Sequence, residues 1–190
     1  MKKQGGLGGS LPTALSTCAP LSFRAVNRKG APDYRAGLQR HHLLPRQLVS
    51  RRCFGRFLEG LGRDRVRLHD FRFNGLLLPA NDEEVLRTGL PLHRGPHRIY
   101  SELVIERVAQ IERGWIKGQR RHAERASEEA LMRLHLLQRA LRQKLLKNEQ
   151  GRALLNRYDP IGAGRNFTDL DAMAEAIWGA SAPAPMSQDR

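Results

Sequence analysis

Cysteine is nearly missing from this chain of 190 residues: Cys18 and Cys53 are too few for a disulfide framework or a four-thiolate zinc site. Small scaffolds held by bridges are excluded, and a reducing cytoplasm is the expected compartment. No run approaches the roughly 18 apolar residues of a membrane span. The stretch 11–23 behind Lys2-Lys3 mimics a secretory signal, but Pro12, Ser16, Thr17 and Pro20 interrupt it. Aromatic residues make up 6% and hydrophobic residues 40%, so the core is small and belongs to one compact domain rather than two. Acidic residues are scarce as well. Nineteen Asp+Glu stand against 33 Lys+Arg, a formal net charge of +14, which predicts a polyanionic partner bound through counterion release. Arginine suits phosphate oxygens with its planar fork, although it also accumulates with genomic base composition. Distribution favours the first cause: between Arg35 and Arg72, ten arginines face only Glu59, Asp64 and Asp70, which is half the surplus.

The order of elements follows from breakers and periodicity. Residues 1–33, rich in Gly, Ser, Pro and Lys, read as a disordered basic arm. A strand over 38–44, ended by Pro45, would place His41 and His42 on opposite faces, because strand side chains alternate. Leu48, Val49, Phe54, Phe57 and Leu58 suit a helix closing at Gly60 or Gly62. A second strand is expected over 73–78, stopped by Pro79. Asn81 then caps a helix whose first turn holds Asp82, Glu83 and Glu84 and whose stop is Gly89. Pro96 fits the first position of another helix, with Ile99, Leu103, Val104, Val108 and Ile111 at helical spacing and His97 in its first turn. A long charged helix over 119–148 carries Leu131, Leu134, Leu141 and Leu145 on one face, for packing or for a homodimer. A last short helix begins near Thr168-Asp169, with Leu170, Met173, Ile177 and Trp178 as docking residues, before a Pro/Ala/Ser tail. The expected fold is α+β and mostly helical: a small core over 34–115, a helical extension over 116–179 and a disordered tail over 180–190. No internal repeat and no base-reading module are visible.

Seven histidines include an adjacent pair, His41-His42, and a His93-Arg94-Gly95-Pro96-His97 cluster. Neutral imidazole is the commonest metal ligand, and a catalytic centre must leave one coordination position open, so three histidines suffice. His41, His93 and His97 supply three. His42 would point away from its neighbour, free to take a proton from water with an ordinary pKa of about 6.5. Asn74, polar within an apolar run, demands a partner if buried, and its amide is expected to hold His42. The alternative is that Asn74-Gly75 is a hairpin turn. Such a set suits phosphodiester hydrolysis with one divalent ion. Three imidazoles favour zinc, nickel or cobalt, while magnesium serves when substrate oxygens complete its shell.

The combination of His41-His42-Leu43-Leu44-Pro45, Asn74-Gly75-Leu76-Leu77-Leu78-Pro79 and His93-x-Gly95-x-His97-x-x-Tyr100 resembles the AHH nucleases of the HNH/endonuclease VII superfamily. The resemblance spans about residues 38–112. It implies a treble-clef-like ββα-metal core, with the histidine pair on the first strand, the asparagine on or after the second, and metal ligands at the helix. Carried over, His41, His93 and His97 would bind the metal, His42 would be general base and Asn74 would orient it. Arg40 stands where the family's name puts alanine, and 31 residues separate His42 from Asn74, so the intervening helix would pack outside the core. Arg40, Arg46, Arg94 and Arg98 are the expected contacts to nucleic acid. Tyr100 is expected to pack against the strands beside the ligands, His69 to lie in a surface loop, and His122 and His135 to be inert. The expected activity is a metal-dependent endonuclease acting on DNA, with RNA as the second candidate, and with weak sequence preference. Its rivals are a metal-stabilised binding module that does not cut, and a toxin payload with an immunity partner. Because the chain starts with its own methionine and shows no delivery module, a stand-alone intracellular nuclease is the favoured expectation.

Overall fold

In the computed structural model, β1 (Leu38–His42) runs antiparallel to β2 (Gly75–Pro79), with His41 opposite Leu76 and His42 opposite Gly75. Residues 19–50, 52–94, 96–147 and 155–156 are described; the expected helix at Thr168 and the tail lie outside them. All but Leu77 of β2 is buried, which suits its unbroken leucines, whereas β1 leaves Gln39 and Arg40 exposed and keeps His41 inside.

Between the strands lie α1 (Gln47–Ser50), α2 (Arg52–Leu61), α3 (Arg63–Val66) and α4 (Phe71–Asn74). The helix expected here does not sit outside the core. Phe54, Phe57, Leu58 and Leu61 of α2 are all buried, and Phe57 meets Trp115 edge to face at 5.3 Å. Its apolar face is wide enough to serve as core, which a spacing argument from the strands alone missed. Asn74 ends α4 rather than lying within a strand or forming a hairpin turn. Asp70 caps that single turn by accepting from the Arg72 amide. Glycine is needed where the turn hands over to β2: a Cβ on Gly75 would stand 2.1 Å from Cδ2 of Phe71.

α5 (Asp82–Thr88) is bounded as its local signals demand. Asn81 Oδ1 accepts from the Glu84 amide at 2.9 Å, and Gly89 closes the helix in the left-handed region at φ 67°. β3 (His93–Arg94) pairs in parallel with β4 (Leu155–Asn156), a pairing between segments too short to show in the sequence pattern. α6 (Arg98–Gln119) and α7 (Ala123–Leu146) form a helical hairpin. His97 is the N-cap of α6, one position before the expected first turn, because Pro96 lies outside the helix. Leu131, Leu134, Leu141 and Leu145 of α7 are buried within the chain, at most 5% exposed. The homodimer drawn on that stripe therefore loses its apolar seam.

The disordered arm expected over 1–33 also needs correction, since its described part folds against the rest. A 3₁₀ turn at Phe23–Ala25 is capped by Ser22, and Leu21 exchanges backbone and side-chain bonds with Phe71 and Asp70. Burial pushes the Asp70 carboxyl up, but bonds from the Arg72 side chain and amide and from the Leu21 amide outweigh it, holding the carboxyl below its ordinary range. The fold is α+β: a small antiparallel sheet set among helices. Among the described residues no helix is long and apolar enough to cross a membrane.

Candidate metal centre and its cleft

His41 from β1, His93 from β3 and His97 at the head of α6 meet at one point. Their ring centroids form a near-equilateral triangle, 4.9 Å from His41 to each of the others and 5.1 Å between His93 and His97. One nitrogen of each lies within 4.8 Å of the others. Backbone geometry explains the meeting: β1 delivers His41 inward by alternation, while the chain turning from β3 into α6 brings His93 and His97 to face it.

The trio is poised to receive a cation. Both ring nitrogens of His41 and Nε2 of His93 are buried without a hydrogen-bond partner. Each unmet group costs about 1–3 kcal/mol, a large sum against a typical domain stability of about 5–15 kcal/mol. A divalent ion would satisfy them. His93 Nδ1 lies 3.2 Å from Gln39 Oε1; an amide oxygen only accepts, so the ring proton sits on Nδ1 and Nε2 keeps its lone pair. His97 Nδ1 is 3.4 Å from Ser101 Oγ, a hydroxyl that can donate or accept and so leaves either tautomer of His97 open. Burial, followed by the neighbouring His93, His97 and His42, pushes His41 well below the ordinary imidazole range. Burial, then His97, takes His93 down to about 4, and burial lowers His97 too. All three are thus neutral at pH 7, the form a metal requires. Among the described residues the donor set is three imidazoles with no thiolate or carboxylate, which fits a borderline divalent ion with coordination positions to spare.

These side chains line a cleft of about 240 Å³ that also contains His42, Arg40, Arg46 and Ser101. His42 is outside the trio yet in the same cleft. Its ring is stacked on Phe23 at 3.7 Å with 1° between the planes, and Phe23 rests edge-on against Phe71. Burial lowers His42 to about 4, aided by the cationic Arg46, by His69 and by Arg40, so it departs from the ordinary value expected of it. His69, exposed as expected, therefore lies near enough to bear on His42.

Residues 22–144 match the AHH family, a nuclease family of the HNH/ENDO VII superfamily with conserved AHH. The chain belongs to the AHH nucleases. No curated protein and no solved structure matches it. As an AHH nuclease it carries Arg40-His41-His42 at the position of the family's conserved triplet, with arginine in place of alanine. That arginine donates to the Phe23 carbonyl at 2.8 Å and so ties the N-terminal segment to the cleft's rim.

Asn74 is fully buried, but its amide does not reach the His42 ring. Oδ1 accepts from the Leu44 amide at 2.7 Å, while Nδ2 donates to the carbonyls of Leu44 at 3.1 Å and Leu68 at 3.0 Å. The backbone two residues past His42 is what it holds. Of the expected nucleic-acid contacts, Arg40 and Arg46 line the cleft. Arg98 is committed to Glu102 at 2.7 Å, and Arg94 is exposed outside the cleft lining. Tyr100 packs on His41 and His97 and donates to the Leu43 carbonyl at 2.8 Å. His135 is not idle: its Nε2 donates to the Arg65 carbonyl. Sequence reasoning missed Phe23, Gln39 and Ser101. Gln39 sits two positions before His41 on the same strand face and Ser101 four after His97 on the helix, spacings that local periodicity can flag. Phe23 had no such signal.

Proposed function

We propose that this AHH nuclease is a metal-dependent endonuclease that hydrolyses phosphodiester bonds in DNA. The observation that carries the reading is the convergence of three neutral imidazoles, two of them with unmet buried nitrogens, beside a fourth imidazole in one cleft. His41, His93 and His97 would hold a divalent ion, which when bound neutralises charge building on the phosphoryl oxygens and the leaving oxygen. His42, neutral at pH 7, is the general base: one of its ring nitrogens takes the proton of the attacking water. Water oxygen joins phosphorus, and the bond from phosphorus to the sugar oxygen breaks. Phe23 keeps the His42 ring in plane by stacking, and Asn74 keeps its backbone in place through Leu44. Arg40 and Arg46 at the cleft neutralise substrate phosphates.

The test is incubation of metal-stripped protein with plasmid, single-stranded DNA and RNA across a series of divalent ions, alongside His42→Ala. Cleavage is expected to require the added ion and to fall about 10²- to 10⁴-fold in His42→Ala while its bound metal, measured by elemental analysis, stays the same. Undiminished cleavage by His42→Ala would remove that residue as base; failure of every ion to restore cutting would leave a binding module instead.

A further inference from the structure

Next to the histidine cleft lies a larger cavity of about 570 Å³, whose wall includes Arg24, Arg28, Lys29, Arg40 and the exposed ring of Tyr34. Among the described residues no carboxylate lines it. The two cavities adjoin through β1, because Arg40 lines both and Gln39, in the wall of the larger, bonds to His93 of the trio.

The wall is built. Asn27 adopts the left-handed region at φ 47°, accepts from the Arg35 amide at 2.8 Å, and donates to the carbonyls of Arg35 and Leu38, each at 2.9 Å. Two turns, Ala31 onto Arg28 and Tyr34 onto Ala31, brace the loop these bonds close. The loop adds no residue to the hydrophobic core, yet it presents Arg28, Lys29 and Tyr34 to solvent. Four cations in one concave wall raise the local concentration of anions. The exposed ring among them adds a flat face, the combination by which unpaired nucleic-acid strands are held. A duplex base has both faces covered by its neighbours, so Tyr34 can stack only on a base outside a duplex. The volume lies within the roughly 300–1,000 Å³ usual for small-ligand sites and accepts one nucleotide.

We infer that this cavity holds an unpaired nucleotide of the substrate strand next to the scissile phosphate, with Tyr34 against its base and Arg24, Arg28 and Lys29 against its phosphates. The inference deepens, and rests on, the nuclease reading above. It makes single strands and frayed or flapped ends the preferred substrates over continuous duplex.

Binding of the full chain to a fluorescein-labelled oligodeoxynucleotide, single-stranded or annealed, is measured by anisotropy in chelator, where nothing is cut; cleavage of both forms is measured separately with added metal. Tyr34→Ala is expected to weaken single-strand binding about 5- to 100-fold, raise KM and leave kcat and duplex binding alone. Arg28→Ala/Lys29→Ala is expected to lower the slope of log affinity against log salt by about 0.7 for each lost phosphate contact. Lys117→Ala, about 29 Å along α6 from Arg98, is the surface-charge control and leaves both unchanged. Equal losses on single strand and duplex would overturn the unpaired-base assignment, and no loss from either cavity variant, or no single-strand binding by the wild type, would overturn the cavity as a subsite. A Tyr34-dependent preference for single strands in a protein that cuts nothing would support the cavity and sink only the catalytic reading.

Discussion

At the scale of single residues, the histidine trio depends on side chains that lie outside it. Gln39 fixes the His93 tautomer because its oxygen can only accept, and this leaves Nε2 aimed as a donor atom. Replacing Gln39 with Ala frees the ring to flip and to protonate at the wrong nitrogen. Affinity for zinc, read by competition with a chromogenic chelator, is expected to fall about 10- to 100-fold. An unchanged affinity would show that packing alone sets the ring. Arg40, the departure from the family's alanine, gains a role of its own here, since it joins the N-terminal segment to the rim of two cavities.

At the scale of elements, Asn74 joins three segments. Its main-chain carbonyl accepts from Leu43, and its side chain pins Leu44 and reaches Leu68. Gln138 of α7 adds a longer bond at 3.4 Å, linking the helical hairpin to the same point. Loss of that amide leaves the Leu44 amide and two carbonyls buried and unmet. Asn74→Ala is expected to destabilise the fold by about 3 kcal/mol in urea titrations. Cutting should be lost in the fraction that remains folded, because the turn past His42 is no longer held. A change below about 0.5 kcal/mol would mean that water replaces the amide without cost.

For the whole molecule, folding brings three neutral imidazoles together against their own solvation. An ion that bound the folded state alone, as proposed, would recover that cost by RT ln(1 + [L]/Kd), or about 4 kcal/mol at a thousandfold excess over Kd. A chain of this size then melts about 10 °C higher with a saturating divalent ion than with chelator. Calorimetry in the two conditions checks it, and coincident melting curves would show that the trio binds no ion. The same measurement on His41→Ala should erase most of the difference.

Much of this architecture was legible because its causes are local. Caps and stops at Asn81 and Gly89 act within a turn, and the apolar stripe of α7 follows from helical period alone. The order of His41-His42, Asn74 and His93-x3-His97 was enough to bring the trio to one place on paper. Partners distant in sequence were decided by the tertiary structure alone. Phe23 lies on His42 because Asp70 and Arg40 hold a segment whose composition reads as disordered, and Gln39 finds a ring 54 positions away. The amino-acid sequence by itself determined which residues could form helix, strand and ligand, since spacing and chemistry act over a few residues. Which side chains face one another across the cleft, and which buried ring nitrogens are left without a protein partner, was decided only by packing, because burial and charge act through space.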